Sequence, residues 1–200
     1  MKRGSGGGFT EAFRDKLEGA GFEEIILPAI EPAEVYSEKM GPEILGQMYI
    51  FPDKKARNLC LRPEGTATCQ LLARGPWSQR KDVRIWYEAR CYRYERPQAG
   101  RYREFTQIGV EVLNPRSDAI PELLAIAKGL VASVVKGLEV DDRAKRGLAY
   151  YVDDGFEIRC PILGAQKQVC GGGRYAEGAG FAIGLDRLVL AKTLEDSNGP

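Results

Sequence analysis

The stretch VRIWYEARCYRYERPQAGRYREFTQIGVEVL, residues 83–113, decides the fold. In residues 83–95 the odd positions Val83, Ile85, Tyr87, Ala89 and Cys91 are apolar or small, and the same face then turns charged with Arg93 and Glu95. A period of two marks a strand, whose successive side chains point to opposite faces. Between 103 and 113 the even positions Ile108, Val110 and Val112 are apolar, while Phe105, Gln107, Gly109 and Glu111 share the other face. The turn RPQAGR joins the two runs, which predicts one long antiparallel hairpin with an apolar side and a ligand side. A half-exposed sheet with a solvated polar face would give the same alternation, and the pattern alone does not separate the two.

Outward from this hairpin the periodicity changes. Phe9, Phe13 and Leu17 recur at i, i+4 and i+8, the mark of an amphipathic helix that ends near Gly21 and follows a linker-like GSGGG at 4–8. A strand is expected over 22–27. Residues 48–51 and 59–61 flank the polar DKKARN as a second hairpin, and a helix starts near Pro63 and carries Ala67, Leu71 and Leu72. Downstream, residues 119–138 carry Leu123, Leu124, Ile126, Ala127, Leu130 and Val134 at the spacing of a long helix packed on the sheet. Residues 148–169 read as strands, Gly171, Gly172 and Gly173 as either a close backbone approach to a bound substrate or a plain loop, and 181–194 as a short strand that becomes a helix after Gly184. Strands framed by helices without regular β-α-β alternation give an α+β fold built on an antiparallel sheet. The expected organisation is a flexible segment over 1–8 and a single domain over 9–196.

Composition narrows the function. At 200 residues and 44% apolar content the chain fills one domain. Its 29 basic and 28 acidic side chains nearly cancel, so bulk charge calls for neither DNA nor an anionic membrane. No apolar run approaches the roughly 18 residues of a membrane span, and MKRGSGGGF lacks the apolar stretch of a signal peptide, so a cytoplasmic protein is expected. The five cysteines are odd in number and scattered, which suggests reduced, buried thiols and no zinc site. Histidine is absent, which removes Ser-His-Asp triads and HExxH sites together.

Neither of the two common nucleotide-binding loops occurs: there is no GxxxxGK[ST], and the GGG at 171–173 lacks GxGxxG spacing. A bound nucleotide would therefore be held by side chains. Arg84, Arg90, Arg93, Arg96, Arg101 and Arg103 crowd one window, and the planar guanidinium suits bidentate phosphate contacts. Taken alone, these arginines read more simply as a solvated basic strand.

Five segments taken together say more. LRPEGTA (61–67), CYRYERPQAGRYREFTQIGVEVL (91–113), RGLAYY (146–151), VCGGGRY (169–175) and GFAIGLDRLVL (180–190) resemble, in the right order, the signature segments of histidyl-tRNA synthetases. GFEEIILPAIEP (21–32) resembles the dimer-forming first motif of class II synthetases, with Pro28 at its hallmark proline. The resemblance implies a class II aminoacyl-tRNA synthetase-like antiparallel sheet flanked by helices, and the activation of histidine with ATP and Mg2+. Arg93 would hold the α-phosphate, Phe105 would stack on adenine, Arg187 would hold the γ-phosphate, and Arg146 would sit beside the α-phosphate during attack. Glu95 and Arg101 are implied as further ATP contacts. The amino-acid pocket would use Glu64, Thr66, Gln107, Glu111, Tyr150, Tyr151 and Tyr175, with no metal held by protein side chains alone. Glu64 and Gln107 can accept from an ammonium and Glu111 from an imidazole N–H. The implied partners are histidine, a tRNA acceptor end and a second copy of the chain.

Departures from the family pattern cluster beside the amino-acid pocket. Ala149 stands where aspartate is usual, VDDGFE (152–157) replaces a Thr-Gly-Thr type segment, Ala176 replaces aspartate in a shortened loop, and Asp186 replaces glutamate. The insertion before RGLAYY is cut to a few residues, and no anticodon-binding domain follows. Three activities fit this pattern: a minimal histidine–tRNA ligase, an amino-acid ligase with another acceptor, and a non-catalytic regulatory subunit. Retention of Arg93, Arg146, Arg187, Glu64 and Glu111 favours the first two.

Overall fold

A computed structural model describes residues 6–37, 42–145 and 148–198. Helix α1 (Gly6–Gly19) buries Phe13 and Leu17, the residues whose spacing marked it. Gly6–Gly8 of the linker-like stretch are helical, and its remaining residues lie outside those described. The strand expected over 22–27 is only β1 (Glu23–Glu24), because the chain leaves the sheet after Ile25 and the carbonyls of Leu27 and Pro28 turn to the Arg62 guanidinium. A small antiparallel sheet follows, in the order β2 (Ile30–Pro32), β4 (Asn58–Leu61), β3 (Ile50–Pro52), with the short helices α2 (Glu34–Ser37) and α3 (Pro42–Leu45) between its first two strands. Helix α4 (Thr66–Arg74) leads from this sheet to the long hairpin.

The hairpin is β5 (Val83–Tyr92) and β6 (Glu104–Leu113), paired from Val83↔Leu113 to Tyr92↔Glu104. Helix α5 (Ile120–Ala132) then leads to β7 (Glu139–Ala144) and β8 (Gly155–Arg159), and β9 (Gln168–Tyr175) turns tightly into β10 (Gly178–Gly184), which runs into α6 (Leu185–Ser197). Helix α5 is shorter than its apolar spacing predicted, because the Lys136 and Gly137 amides donate to the Glu195 carboxylate and fix the chain in a turn. The main sheet has the order β1-β5-β6-β10-β9-β8-β7, antiparallel except where β1 meets β5. The fold is the α+β sheet flanked by helices that the alternation predicted. The GGG segment, however, is strand and not loop.

One expectation about faces is corrected by the register. Odd residues of β5 pair with odd residues of β6, so Ile85 lies opposite Glu111, Tyr87 opposite Gly109 and Cys91 opposite Phe105. The apolar odd positions of β5 therefore share the ligand side with Phe105 and Gln107, and do not join Ile108, Val110 and Val112. Alternation tells which residues of one strand share a face; only the register tells which face of the partner they join. Both sides are consequently packed. Trp86, Ile108, Val110 and Val112 lie in a core with residues of α1, α5 and α6, while Ile85, Tyr87 and Ala89 pack with Cys69 and Ala73 of α4. Beyond the start of α4 the odd side opens into a cleft. Among the described residues no helix is long and apolar enough to cross a membrane.

Candidate active site

The cleft has a volume of about 620 Å³, and Glu64, Thr66, Arg93, Phe105, Gln107 and Arg187 are among its lining residues. That size falls within the range of small-molecule sites. Glu64 stands just before α4, and its carboxylate accepts the Thr66 and Ala67 amides, both at 2.7 Å. Gly65 at the N-cap has no side chain to do this, so Glu64 caps the helix and is itself fixed in direction. Burial raises its pKa, against the two amide hydrogen bonds.

Thr66 joins the cleft to a buried carboxylate. Its hydroxyl donates to Glu111 Oε1 at 2.7 Å, and the Tyr175 hydroxyl donates to Oε2 at 2.7 Å. Glu111 is 0% exposed, and burial pushes its carboxyl up to about 8. Glu111 and Tyr175 thus form a layer behind the cleft wall, while Tyr150 and Tyr151 line it. The rings of Tyr150 and Tyr151 lie 4.6 Å apart, and Tyr150 meets Tyr175 edge-on at 6.1 Å. Gln107 also lines the cleft and accepts from the Cys91 thiol at 3.3 Å.

The arginines are aimed by backbone carbonyls. Arg93 donates from Nε to the Pro63 carbonyl at 2.9 Å, with its guanidinium 5.3 Å from the centre of the Phe105 ring. Arg187 donates from Nε to the Gly100 carbonyl at 2.5 Å and from Nη1 to that of Gln168 at 3.0 Å. Burial lowers its pKa. Two half-buried, directed cations with no bonded carboxylate among the described residues make a receptor for anionic oxygens. Arg101 is instead paired with Glu95 at 2.6 Å, both on the cleft wall. Arg146 lies outside the described residues. Of the three glycines, Gly171 lines the cleft. A Cβ on Gly172 would strike Phe156 at 2.6 Å and one on Gly173 would strike Tyr151 at 2.8 Å, so packing, not a ligand, excludes side chains there.

Sequence reading passed over three contributors. Asp186 accepts the Thr106 amide at 2.6 Å and so ties α6 to β6 beside Phe105. Arg62, only 4% exposed, donates to the carbonyls of Leu27 and Arg90, both at 2.8 Å, and to that of Pro28. Tyr87 is fully buried with its hydroxyl 3.5 Å from Glu111. Asp186 and Arg62 lie within segments quoted for the resemblance, and Tyr87 among the apolar odd positions of the deciding hairpin, but nothing in a one-dimensional pattern reports what a buried polar group bonds to.

A family model for histidyl-tRNA synthetase matches residues 8–141. The chain is 34% identical over 194 residues to a histidine–tRNA ligase of Methanosphaerula palustris, covering 92% of this chain and 47% of that protein. With the histidine–tRNA ligase of Archaeoglobus fulgidus it is 29% identical over 289 residues, covering 91% of this chain and 71% of the relative. That alignment is longer than the chain itself, so the relative carries about a hundred residues within the matched span that have no counterpart here. Apo histidyl-tRNA synthetase of S. aureus superposes with a TM-score of 0.77 at 25% identity, over 98% of this chain and 68% of that one.

Proposed function

Because the chain belongs to the histidyl-tRNA synthetase family, we propose that it activates histidine with ATP to give histidyl-adenylate and transfers the histidine to a tRNA acceptor end. One observation carries the reading. A single cleft is lined both by the acceptors an amino acid needs and by the arginines and aromatic ring a nucleotide needs.

In this reading Phe105 stacks on adenine, Arg93 meets the α-phosphate and Arg187 the γ-phosphate. Arg146 stands beside the α-phosphate, as the family pattern implies. The histidine carboxylate attacks the α-phosphorus in line, the bond to the bridging oxygen breaks, and pyrophosphate leaves. The carboxylate is already ionised, so no general base is needed. Positioning and fixed positive charge supply the acceleration. Glu95 on the cleft wall would offer an oxygen to a Mg2+ bound with the triphosphate, which would supply neutralisation of phosphate charge. Among the described residues no group of three or more His, Cys, Asp or Glu side chains is placed to hold a metal. Glu64 and Gln107 accept from the α-ammonium, and Thr66 with Glu111 behind it receives the imidazole N–H.

Amino-acid-dependent ATP–pyrophosphate exchange with each standard amino acid tests this without assuming an acceptor. Exchange with histidine alone is expected. Exchange with a different amino acid would keep the chemistry and reassign the pocket. None at all, from folded protein, would overturn activation and leave a regulatory role.

A further inference from the structure

We infer that Tyr87 is a positioning residue for amino-acid recognition, its hydroxyl serving as a third donor to the Glu111 carboxylate that stands behind the cleft wall. The inference rests on the amino-acid pocket proposed above and adds a residue that neither the sequence pattern nor the family resemblance assigns.

The geometry begins with a slot. Tyr87 lies directly opposite Gly109 across the β5–β6 pair. A Cβ on Gly109 would come within 2.0 Å of the Tyr87 ring, and one on Gly65 within 2.4 Å. Gly109 is held by strand pairing on both sides and Gly65 by the start of α4, so the ring is clamped between two backbones. Its hydroxyl has one place to go, the corner shared by Thr66 and Glu111.

Among the described residues no cation faces Glu111, so hydroxyl donors are what hold it. Thr66 donates to Oε1 and Tyr175 to Oε2, each at 2.7 Å, while Tyr87 stands at 3.5 Å from Oε1. A Cβ on Gly180 would lie 1.7 Å from Oε2, so the β10 backbone closes the remaining side. The titratable groups facing the carboxylate are Glu64 from the turn before α4, Cys69 from α4, Tyr87 from β5, Tyr175 from β9 and Tyr150 from the segment before β8. None of them is basic. Thr66 is the only one of the three donors on the cleft surface. When a substrate N–H engages Thr66, the threonine oxygen accepts it with a lone pair while its own hydroxyl goes on donating to Oε1, so the direction of that hydroxyl depends on where Oε1 is held. Tyr87 donates to the same oxygen across 3.5 Å and holds Oε1 in place, so the buried carboxylate is not left short of donors.

Tyr87→Phe keeps the ring in its slot and removes only the hydroxyl. Two readouts separate positioning from space filling. The first is the titration of Glu111, followed by its carboxyl band in isotope-edited infrared difference spectra with and without histidine, with Glu111→Gln assigning the band. Loss of a donor should move the midpoint upward by at least about half a pH unit, with histidine present or absent. In exchange kinetics, the KM for histidine should rise about tenfold while the KM for ATP stays within about twofold. An unchanged midpoint, or a histidine KM equal to the parent's, would overturn the inference. Should the parent show no exchange, the activation reading fails, and the titration alone still decides whether Tyr87 donates to Glu111.

Discussion

A carboxyl group with no exposure and, among the described residues, no basic neighbour holds its proton more tightly than one in water, and burial sets Glu111 at about 8 against the hydrogen bonds from Thr66 and Tyr175. The folded chain therefore binds this proton more strongly than the unfolded one. Stability present below the ordinary carboxylate range is lost as pH climbs toward about 8. Glu64 and Glu31, also raised by burial, act in the same direction. Glu111→Gln should accordingly flatten part of the decline in denaturation midpoint with rising pH, measured by urea titration on both sides of neutrality. Arg93→Ala removes a charge-assisted contact worth about 1.5–3 kcal/mol, so kcat/KM for ATP in the exchange reaction should fall at least about tenfold. A variant with unchanged turnover would remove Arg93 from the site. Arg93 and Glu64 were legible in the sequence because the motifs that contain them are contiguous. Tyr87 was not, since its meaning depends on the glycine opposite it, and that pairing exists only once the register is set.

Elements show the same division. Helix α6 after Gly184 and the two long strands were readable because each carries its own periodicity. Strand β1 was overextended because apolar residues run on through Leu27 after the backbone has left the sheet. What takes the chain out is Arg62. Its guanidinium joins the segment after β1 to the carbonyl of Arg90 near the end of β5, while its own carbonyl accepts the Tyr92 amide at 2.9 Å. Arg62→Ala leaves the carbonyls of Leu27, Pro28 and Arg90 without this donor, and each orphaned buried group costs about 1–3 kcal/mol. The variant should lose at least about 2 kcal/mol in urea unfolding, and a loss below half that value would show water replacing the guanidinium. Glu64→Ala removes the cap of α4 as well as a pocket carboxylate. It should cost about 1 kcal/mol of stability and also raise the KM for histidine.

At the scale of the molecule, Ile26 is 95% exposed, and Ile30 and Ile50 are 52% and 51% exposed. All three lie in or beside the segment around Pro28 and the small sheet, where the first-motif resemblance expects a second copy to dock. Sedimentation velocity should find a dimer, and Ile26→Asp should shift it to monomer; a strictly monomeric parent would count against that interface. The fold class was legible at this scale because helical and strand periods segregate along the chain. The layering was not, because which faces meet is settled by pairing between distant segments. All five cysteines are buried, and burial pushes the thiols of Cys60 and Cys91 up to about 12 and that of Cys160 to about 11. Alkylating reagents attack the thiolate, so the native chain is nearly silent toward them. Val152 is 58% exposed and directly follows Tyr151 of the cleft wall, which makes it a place to add a single fast-reacting thiol. A fluorophore attached there would report ligand entry in the unaltered background of the native protein.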